Sequence, residues 1–176
     1  MILSSIVIRQ ECPSDYPTVF QLNESAFGQK NEAKLVDALR SCDAFAPELS
    51  LIALSKDTIV GHILFTKLTI RAESGQQFES LSLAPMAVDT KHQNQGIGSQ
   101  LVTEGLKIAK SLGYKFIIVL GHPDYYPRFG FQPASQWGIK TPFDVPNNAF
   151  LALELTENGL DGVHGTVKYP KEFDSV

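Results

Sequence analysis

The chain has 176 residues, a length that suits one compact domain with a sizeable core. Its formal net charge of -4 and the absence of any run of Lys or Arg exclude a general nucleic-acid binder, because such proteins carry a basic patch for phosphates. No apolar stretch approaches the roughly 20 residues of a membrane span, and MILSSIVIR lacks the basic region of a secretory signal, so we expect a cytoplasmic protein with no nucleic-acid or membrane partner.

A strand followed by two helices is predicted for the first 40 residues. SIVIRQ has strand character, and Ser14 or Asp15 is positioned to cap a helix whose apolar residues recur at helical spacing. Gly28 ends this helix. NEAKLVDALR predicts a second helix with Asn31 as its N-cap and apolar residues on one face.

The two cysteines, Cys12 and Cys42, could in principle form a disulfide. In a two-cysteine chain of this size without a secretory signal, thiols more often stay reduced. We therefore expect both to be buried thiols.

The next segment predicts β-structure. LSLIALSK and TIVGHILFTKLTI are β-rich runs separated by a tight Lys56-Asp57 turn, so they predict a hairpin. The polar stretch RAESGQQFE predicts a loop. SLSLAPMAV resumes strand character but contains Pro85, which cannot donate a ladder hydrogen bond and so predicts an edge strand or a bulge.

A helix of about four turns is predicted after the glycines of TKHQNQGIGSQLV, with Gly113 as its C-cap. The apolar run KFIIVL predicts a strand buried on both faces. One crossover helix joins SLSLAPMAV to KFIIVL, so these strands are expected to be parallel neighbours. Two later strands are suggested by AFLALEL and GTVKY, which completes a mixed α/β order. The helical face comprises Ile97, Leu101, Val102, Ile108, Ala109 and Leu112.

The glycine turn before that helix is a candidate anion site, since a helix N-terminus presents unpaired N–H groups and a partial positive charge. A Walker P-loop requires a lysine, and Ile97-Gly98-Ser99 has none. A dinucleotide fingerprint requires a third glycine, where this chain has Leu101. A turn that merely packs tightly remains the structural alternative.

The residues around this turn carry a resemblance to a known family. QNQGIG resembles the acyl-CoA signature of the GNAT N-acetyltransferase superfamily, Gln/Arg-x-x-Gly-x-Gly/Ala. IRQECPSDYPTVFQLNESAF is similar to the first strand and helix of that family, and YYPRFGF to its Tyr-x-x-x-Gly-Phe segment. The similarity covers most of residues 6–131. ELSLIAL, IVGHILFT and VLGHPDYYPRFGF look most like the YhbS-type bacterial acetyltransferases.

The resemblance implies a fold and a co-substrate. The fold is a mixed, mostly antiparallel sheet with one splayed parallel strand pair and flanking helices, forming a single acetyltransferase domain over residues 1–176. Acetyl-CoA would bind with its pyrophosphate on the backbone amides of the turn and its pantetheine arm beside the strand that contains Pro85. The implied acetyl-CoA-binding residues are Met86, Ala87, Val88, Gln93, Asn94, Gln95, Gly96, Ile97, Gly98, Ser99 and Tyr126.

Tyr126 occupies the position at which family members place the general acid that protonates the departing sulfur. A neutral phenol is a competent proton donor to a thiolate. The alternative is an ordinary packed aromatic beside Phe129 and Phe131, while Tyr125 is expected to be core or wall.

The chain departs from the family in the segment VLGHPD, where many members carry Asn-x-x-Ala on a helix that lines CoA. The helix must be short here, and His122 or Arg128 either replaces the Asn contact or is solvated. No metal is expected, since the histidines form no ligand spacing with cysteines or acids.

No general base stands out. His62, in a strand, is expected to be a satisfied strand residue. Some family members relay the proton through water instead. The carboxylates on segments that border the acceptor side in the family are Glu24, Glu32 and Glu79.

The function implied is acetyl transfer from acetyl-CoA to a primary amine by direct attack in a ternary complex. The alternatives are a CoA-binding module without catalysis and, less favoured, nucleotide binding at the same turn. The acceptor would be a small-molecule or peptide amine, and a homodimer stays open. Residues 132–149, with Trp137 and Phe143, either form a wall beside the acceptor or pack under a long loop.

Overall fold

The computed structural model describes residues 5–175, so the first four residues of the stretch considered as a signal lie outside the described residues. The predicted mixed α/β architecture is confirmed, with the order β-α-α-β-β-β-α-β followed by four short strands. No helix in this range is long and apolar enough to cross a membrane. The helices are α1 (Tyr16–Phe27), α2 (Asn31–Arg40) and α3 (Ile97–Ser111). The strands are β1 (Ile6–Gln10), β2 (Phe45–Ser55), β3 (Thr58–Arg71), β4 (Gln77–Val88), β5 (Phe116–Leu120), β6 (Gln132–Pro133), β7 (Ile139–Lys140), β8 (Phe150–Glu154) and β9 (Gly165–Lys168).

All of these strands belong to one sheet. Its main path runs β1-β2-β3-β4-β5-β8-β6, while β9 pairs with the far end of β3 and with β7. The pairings are antiparallel except for β4 with β5, as predicted, and the two-residue pair of β7 with β9. The sheet is therefore mostly antiparallel, with its crossover around α3.

The parallel pair separates after two residues. β4 meets β5 only where Leu81 and Ser82 lie opposite Ile117 and Ile118, whereas its pairing with β3 continues to Val88. A register shift in β3–β4 lies beside Pro85. Pro85 therefore lies at a bulge toward β3, in the part of β4 whose other edge has no strand partner, so both predicted alternatives describe it.

The helices cover opposite faces of the sheet. The apolar faces of α1 and α2 pack with Ile52 and Leu64 in one cluster, and α3 packs with Phe65 in another. Gly105 of α3 lies against the Phe65 ring, so that a Cβ at this position would lie 2.1 Å from Phe65 Cε2. Gly61 of β3 is similarly close, since its Cβ would lie 2.9 Å from Leu101 Cδ1. These two glycines bring α3 close to the sheet.

The predicted hairpin is confirmed, and the loop after it is shorter than expected. Lys56 and Asp57 have φ angles of 47° and 66°, the left-handed geometry of a two-residue hairpin turn. RAESGQQFE is not all loop, since β3 extends to Arg71 and β4 begins at Gln77. The ladder pairs these two residues with each other, so polar side chains at the sheet margin were misread as a loop.

The helix caps differ from the predictions. Two of them lie one residue away from the expected position, and the third makes other hydrogen bonds than expected. Asp15 precedes α1, but its carboxylate accepts hydrogen bonds from the Cys12 amide (2.8 Å) and from Arg9 instead of capping the helix. Asn31 is the first residue of α2, not its N-cap. Leu112 is the C-cap of α3 and is 46% exposed, so it does not belong to the buried helical face.

The cysteines are free, as predicted, but not both buried. Cys12 is exposed and Cys42 is half-buried. Cys12 contacts Ser14 and Asp15 in the turn before α1, and this polar turn keeps it at the surface.

A buried polar cluster joins α2 to the sheet beneath it. The Arg40 guanidinium donates two hydrogen bonds to Glu11, of 3.0 and 2.9 Å, and both side chains are almost fully buried. Burial raises the pKa of Glu11, but the hydrogen bonds from Arg40 and Ser50, together with the nearby positive charge, outweigh it and leave that pKa below its usual range. His62, fully buried, lies 3.1 Å from Ser50 Oγ through Nε2, and burial lowers its pKa to about 4. His62 is therefore neutral at physiological pH. Its buried Nδ1 has no hydrogen-bond partner among the described residues, so the prediction of a fully satisfied strand residue is wrong for that nitrogen.

Candidate active site

A cleft of about 1080 Å³ opens where β4 and β5 separate. It is lined by the second half of β4, the turn before α3, and the segment that follows β5. Among the residues predicted to bind acetyl-CoA, Ala87 and Gln95 do not line it. Those that do are Met86, Val88, Gln93, Asn94, Gly96, Ile97, Gly98, Ser99 and Tyr126.

The glycine turn presents backbone amides to this cleft. Gly96 is the N-cap of α3 with φ 82°, and no side chain caps the helix, so the first amides of α3 have no partner within it. Asn94 also adopts a left-handed φ, of 62°. The Gln93 side chain donates to the Val88 carbonyl (3.2 Å), which ties the turn to the end of β4. The turn thus forms a concavity suited to an anion through its backbone amides, and no Lys or Arg of the turn lines the cleft.

The second half of β4 offers its unpaired edge to the cleft. Met86 and Val88 line the cleft, while the intervening Ala87 is buried opposite His62 of β3. Since β5 pairs with β4 only as far as Ser82, backbone groups beyond that residue on the β5 side have no strand partner. Such groups can hydrogen-bond an extended ligand in place of a strand.

Tyr126 lies at the base of the cleft with its ring packed on the backbone of Gly121. Its ring also meets Tyr125 and Phe131 edge-on, at centroid distances of 5.1 and 5.7 Å. Burial raises the pKa of Tyr126 above its ordinary value, so the phenol is neutral at physiological pH. A proton donor is therefore available at this point of the cleft.

Tyr125 connects the tyrosine segment to the glycine turn. Its hydroxyl lies 3.2 Å from Ser99 Oγ in the first turn of α3. The Arg128 guanidinium stacks 4.3 Å from the centroid of the Tyr125 ring, and its Nε donates to the Tyr125 carbonyl. The Tyr125 ring thus lies between Arg128 and the turn, and Arg128 supplies a cation at the rim of the cleft.

Of the three predicted carboxylates, only Glu32 lines this cleft. Glu24 pairs with Lys30 at 3.8 Å, and Glu79 lines a separate cavity of about 580 Å³. Both carboxylate oxygens of Glu32 accept from Gln29 Nε2, at 3.0 and 3.1 Å. The structure therefore distinguishes Glu32 from the other two.

The aromatic wall is built from residues far apart in sequence. Phe143 lines the cleft, as one of the two predicted alternatives requires, but Trp137 packs into a core cluster instead. Tyr169 and Phe173, near the carboxyl terminus, complete the wall with Phe143. Sequence reasoning missed these two residues, since Tyr169 ends the last predicted strand, Phe173 follows it, and neither belongs to a motif.

Two further cleft residues, Gly121 and Tyr125, were not among the predicted site residues. Gly121 gives no signal beyond its place before the tyrosine segment, yet it seats the Tyr126 ring. The repeated tyrosine of YYPRFGF was the available signal for Tyr125. Among residues 5–175, no group of three His, Cys, Asp or Glu side chains is placed to hold a metal ion.

Comparison with known proteins gives consistent matches. A sequence profile for the acetyltransferase (GNAT) domain matches residues 7–134. The chain is 34% identical over 170 residues to the N-acetyltransferase YhbS of Escherichia coli strain K12, which covers 96% of this chain and 99% of that protein.

Solved structures match in fold as well as sequence. The GNAT family N-acetyltransferase YhbS from Escherichia coli, in complex with CoA, superposes with a TM-score of 0.88 at 32% identity, over 96% of this chain and 92% of that chain. A GNAT family acetyltransferase from Brucella melitensis, in complex with acetyl-CoA, gives a TM-score of 0.78 at 31% identity, over 97% and 99%.

Proposed function

The chain belongs to the GNAT acetyltransferase family, and on that premise we propose that it transfers the acetyl group of acetyl-CoA to a primary amine by direct attack in a ternary complex. The amine nitrogen forms a bond to the thioester carbon, the carbon–sulfur bond breaks, and CoA leaves as the thiol. One proton passes to the solvent for each ammonium consumed. The observation that carries this proposal is the single cleft shared by the strand separation, the glycine turn and Tyr126.

The glycine turn would hold the pyrophosphate of acetyl-CoA. The amides of Ile97, Gly98 and Ser99 open α3 without an internal partner, and they point their partial positive charge outward. Glycine at position 98 leaves room for the Tyr125 hydroxyl beside these amides, because a Cβ there would lie 3.1 Å from it. Arg128 would add a side-chain charge, since Lys91 of the turn does not line the cleft.

The unpaired edge of β4 would hold the pantetheine arm and the thioester. Backbone groups of Met86, Ala87 and Val88 would hydrogen-bond the pantetheine amides where β5 has turned away. A backbone N–H aimed at the thioester oxygen would stabilise the oxyanion of the tetrahedral intermediate, typically by about 2.7–4 kcal/mol for one donor.

Tyr126 would act as the general acid toward sulfur. Its raised pKa keeps the phenol protonated, so the donor form is populated before each turnover. Proton transfer as the carbon–sulfur bond breaks leaves a tyrosinate, which regains its proton readily because its pKa is raised. We extend this assignment to residues 1–176 as one cytoplasmic acetyltransferase domain.

The co-substrate is tested first by thermal stability. Acetyl-CoA is expected to raise the melting temperature, since a ligand at 100 times its Kd adds about 2.7 kcal/mol of stability, whereas ATP and NAD are expected to have no effect. No stabilisation by acetyl-CoA would refute CoA binding and with it the proposed transfer.

Catalysis is tested by CoA release with a panel of amines and the variant Tyr126→Phe. We expect kcat to fall about 100-fold, because a positioned general acid contributes about 10²–10⁴, while affinity for acetyl-CoA is nearly kept. Tyr114→Phe, at the opposite end of β5, is the matched control. An unchanged kcat would remove the acid role, and stabilisation without CoA release would identify a CoA-binding module instead of an enzyme.

A further inference from the structure

We propose that the acceptor is a monoamine on an aromatic or similarly apolar body, bound with its ammonium group at Glu32 and its body against Phe143, Tyr169 and Phe173. This inference rests on the proposed acetyl transfer and names the class of its second substrate. It follows from three properties of the cleft wall: an unneutralised carboxylate, a continuous aromatic surface, and the absence of a second negative charge within the lining described here.

Glu32 carries a charge that no cation of the described chain balances. Its carboxylate accepts two hydrogen bonds from Gln29, a neutral amide, and no salt bridge to Glu32 is formed within residues 5–175. The residue lies in the first turn of α2 and lines the cleft. A carboxylate in this setting attracts an ammonium group, which can also donate hydrogen bonds to it.

The aromatic surface lies on the same wall as Glu32. Phe143 and Tyr169 have ring centroids 5.2 Å apart, and Tyr169 and Phe173 are 5.3 Å apart. Phe173 packs against the cluster that contains Leu35, one helical turn beyond Glu32. The three rings therefore form a ladder whose inner end, Phe173, reaches α2.

The outer ring of this ladder is open to solvent. Phe143 is 41% exposed, as is Phe27 at the end of α1, which also lines the cleft. An apolar body placed there would remove ring surface from water and gain edge or face contacts between aromatic groups. An ammonium beside these rings gains cation–π attraction as well.

The charge count favours one ammonium over several. Glu32 is the single carboxylate among the described residues that line the cleft, and the fixed cation there is Arg128. A polyamine would place its second ammonium without a carboxylate in a cleft that already holds Arg128, which costs electrostatic free energy. The wall is therefore complementary to one positive charge followed by apolar surface.

The test compares four acceptors in CoA release: 2-phenylethylamine, ethylamine, spermidine and a short peptide with a free amino terminus. We expect kcat/KM for 2-phenylethylamine to exceed each of the others at least about tenfold, the ratio that 1.4 kcal/mol of differential binding produces. A higher kcat/KM for spermidine, for the peptide or for ethylamine would overturn the proposal.

Two variants assign the preference to the wall. Glu32→Gln is expected to raise KM for 2-phenylethylamine about tenfold, consistent with loss of one charge-assisted hydrogen bond, and to leave KM for acetyl-CoA unchanged. Phe143→Leu is expected to reduce the advantage of 2-phenylethylamine over ethylamine. Glu104→Gln, on the outer side of α3 beside Lys107, is the matched control and should change neither value. Equal amine KM values in Glu32→Gln and Glu104→Gln would refute the ammonium site.

Binding measurements separate this inference from the function on which it rests. Calorimetric titration of 2-phenylethylamine into the protein saturated with CoA reports the amine site without requiring turnover. Binding that is lost in Glu32→Gln, together with no CoA release from acetyl-CoA, would refute acetyl transfer and keep the amine site. Turnover of other amines, with no binding of 2-phenylethylamine, would refute the amine site and keep acetyl transfer.

Discussion

At the carboxyl end of α2, Arg40 lies buried against Glu11, whereas at the amino end of the same helix Glu32 faces the cleft with an amide as its partner. The first charge is matched by an opposite charge and by hydrogen bonds, so it holds α2 on the sheet. The second is solvated and unmatched, so it is available to a ligand. With the proposed acceptor site, one helix would serve both stability and binding, and the presence of an opposite-charge partner would distinguish the two roles.

The largest expected effect comes from breaking the buried pair. Arg40→Met would leave the Glu11 carboxylate buried without its cation, and such a loss typically costs about 3–5 kcal/mol of unfolding free energy. Urea denaturation measures this change. KM values of the folded protein should stay the same, because Arg40 does not line the cleft.

The control for this variant is Lys107→Met, which removes one side of an exposed pair with Glu104. Its expected effect is within about 1 kcal/mol, as for surface ion pairs. Equal losses in the two variants would mean that burial of the Arg40–Glu11 pair does not increase its contribution to the unfolding free energy.

A pH dependence of intermediate size is expected from His62. Its folded-state pKa of about 4 lies below the ordinary value of 6.5, so between these values the unfolded chain binds the extra proton. Stability is fully present above pH 6.5 and falls as the pH drops toward 4, by at most about 3 kcal/mol. The lowered pKa of Glu11 acts with the same sign at lower pH.

The variant His62→Asn should flatten this part of the stability curve, measured by urea denaturation between pH 4 and pH 7. His164→Asn is the control, since His164 is exposed. An unchanged slope in His62→Asn would show that the acid sensitivity of the protein originates outside the buried cluster.

The smallest effect is expected at the rim. Arg128→Gln should raise KM for acetyl-CoA about threefold at low salt, and less at high salt, because an exposed charge is screened. The unfolding free energy should not change. Arg71→Gln, an exposed arginine at the far end of β3, is the control. A salt-independent effect would mean that Arg128 contributes packing on Tyr125 and not charge.

Local patterns in the sequence predicted the framework of the site. The Lys56-Asp57 turn fixed the hairpin, and the crossover between two apolar strands fixed the parallel pair. Proline in the middle of a strand indicated the bulge beside which β4 and β5 separate. These features depend on residues that are close in sequence, so they can be predicted from one amino-acid sequence.

The acceptor wall could not be predicted in the same way. Phe143, Tyr169 and Phe173 come together from segments separated by about 25 residues without periodicity. The ranking of Glu32 above Glu24 and Glu79 depends on which cavity each side chain faces, and no local pattern reports that. The wall depends on tertiary packing, whereas the turn that would hold the phosphates depends on local backbone geometry.

Gly105 does not line the cleft, yet its packing against the sheet sets the position of the helix that begins there. Because the Phe65 ring fills the space beside it, even an alanine there would push α3 away from the sheet. The helix is continuous from Ile97 to Ser111, so an outward shift at its centre would move the amides at its start. A substitution at Gly105 would therefore weaken acetyl-CoA binding from within the core. In a mutational scan, Gly105 would be mistaken for a residue that contacts the ligand.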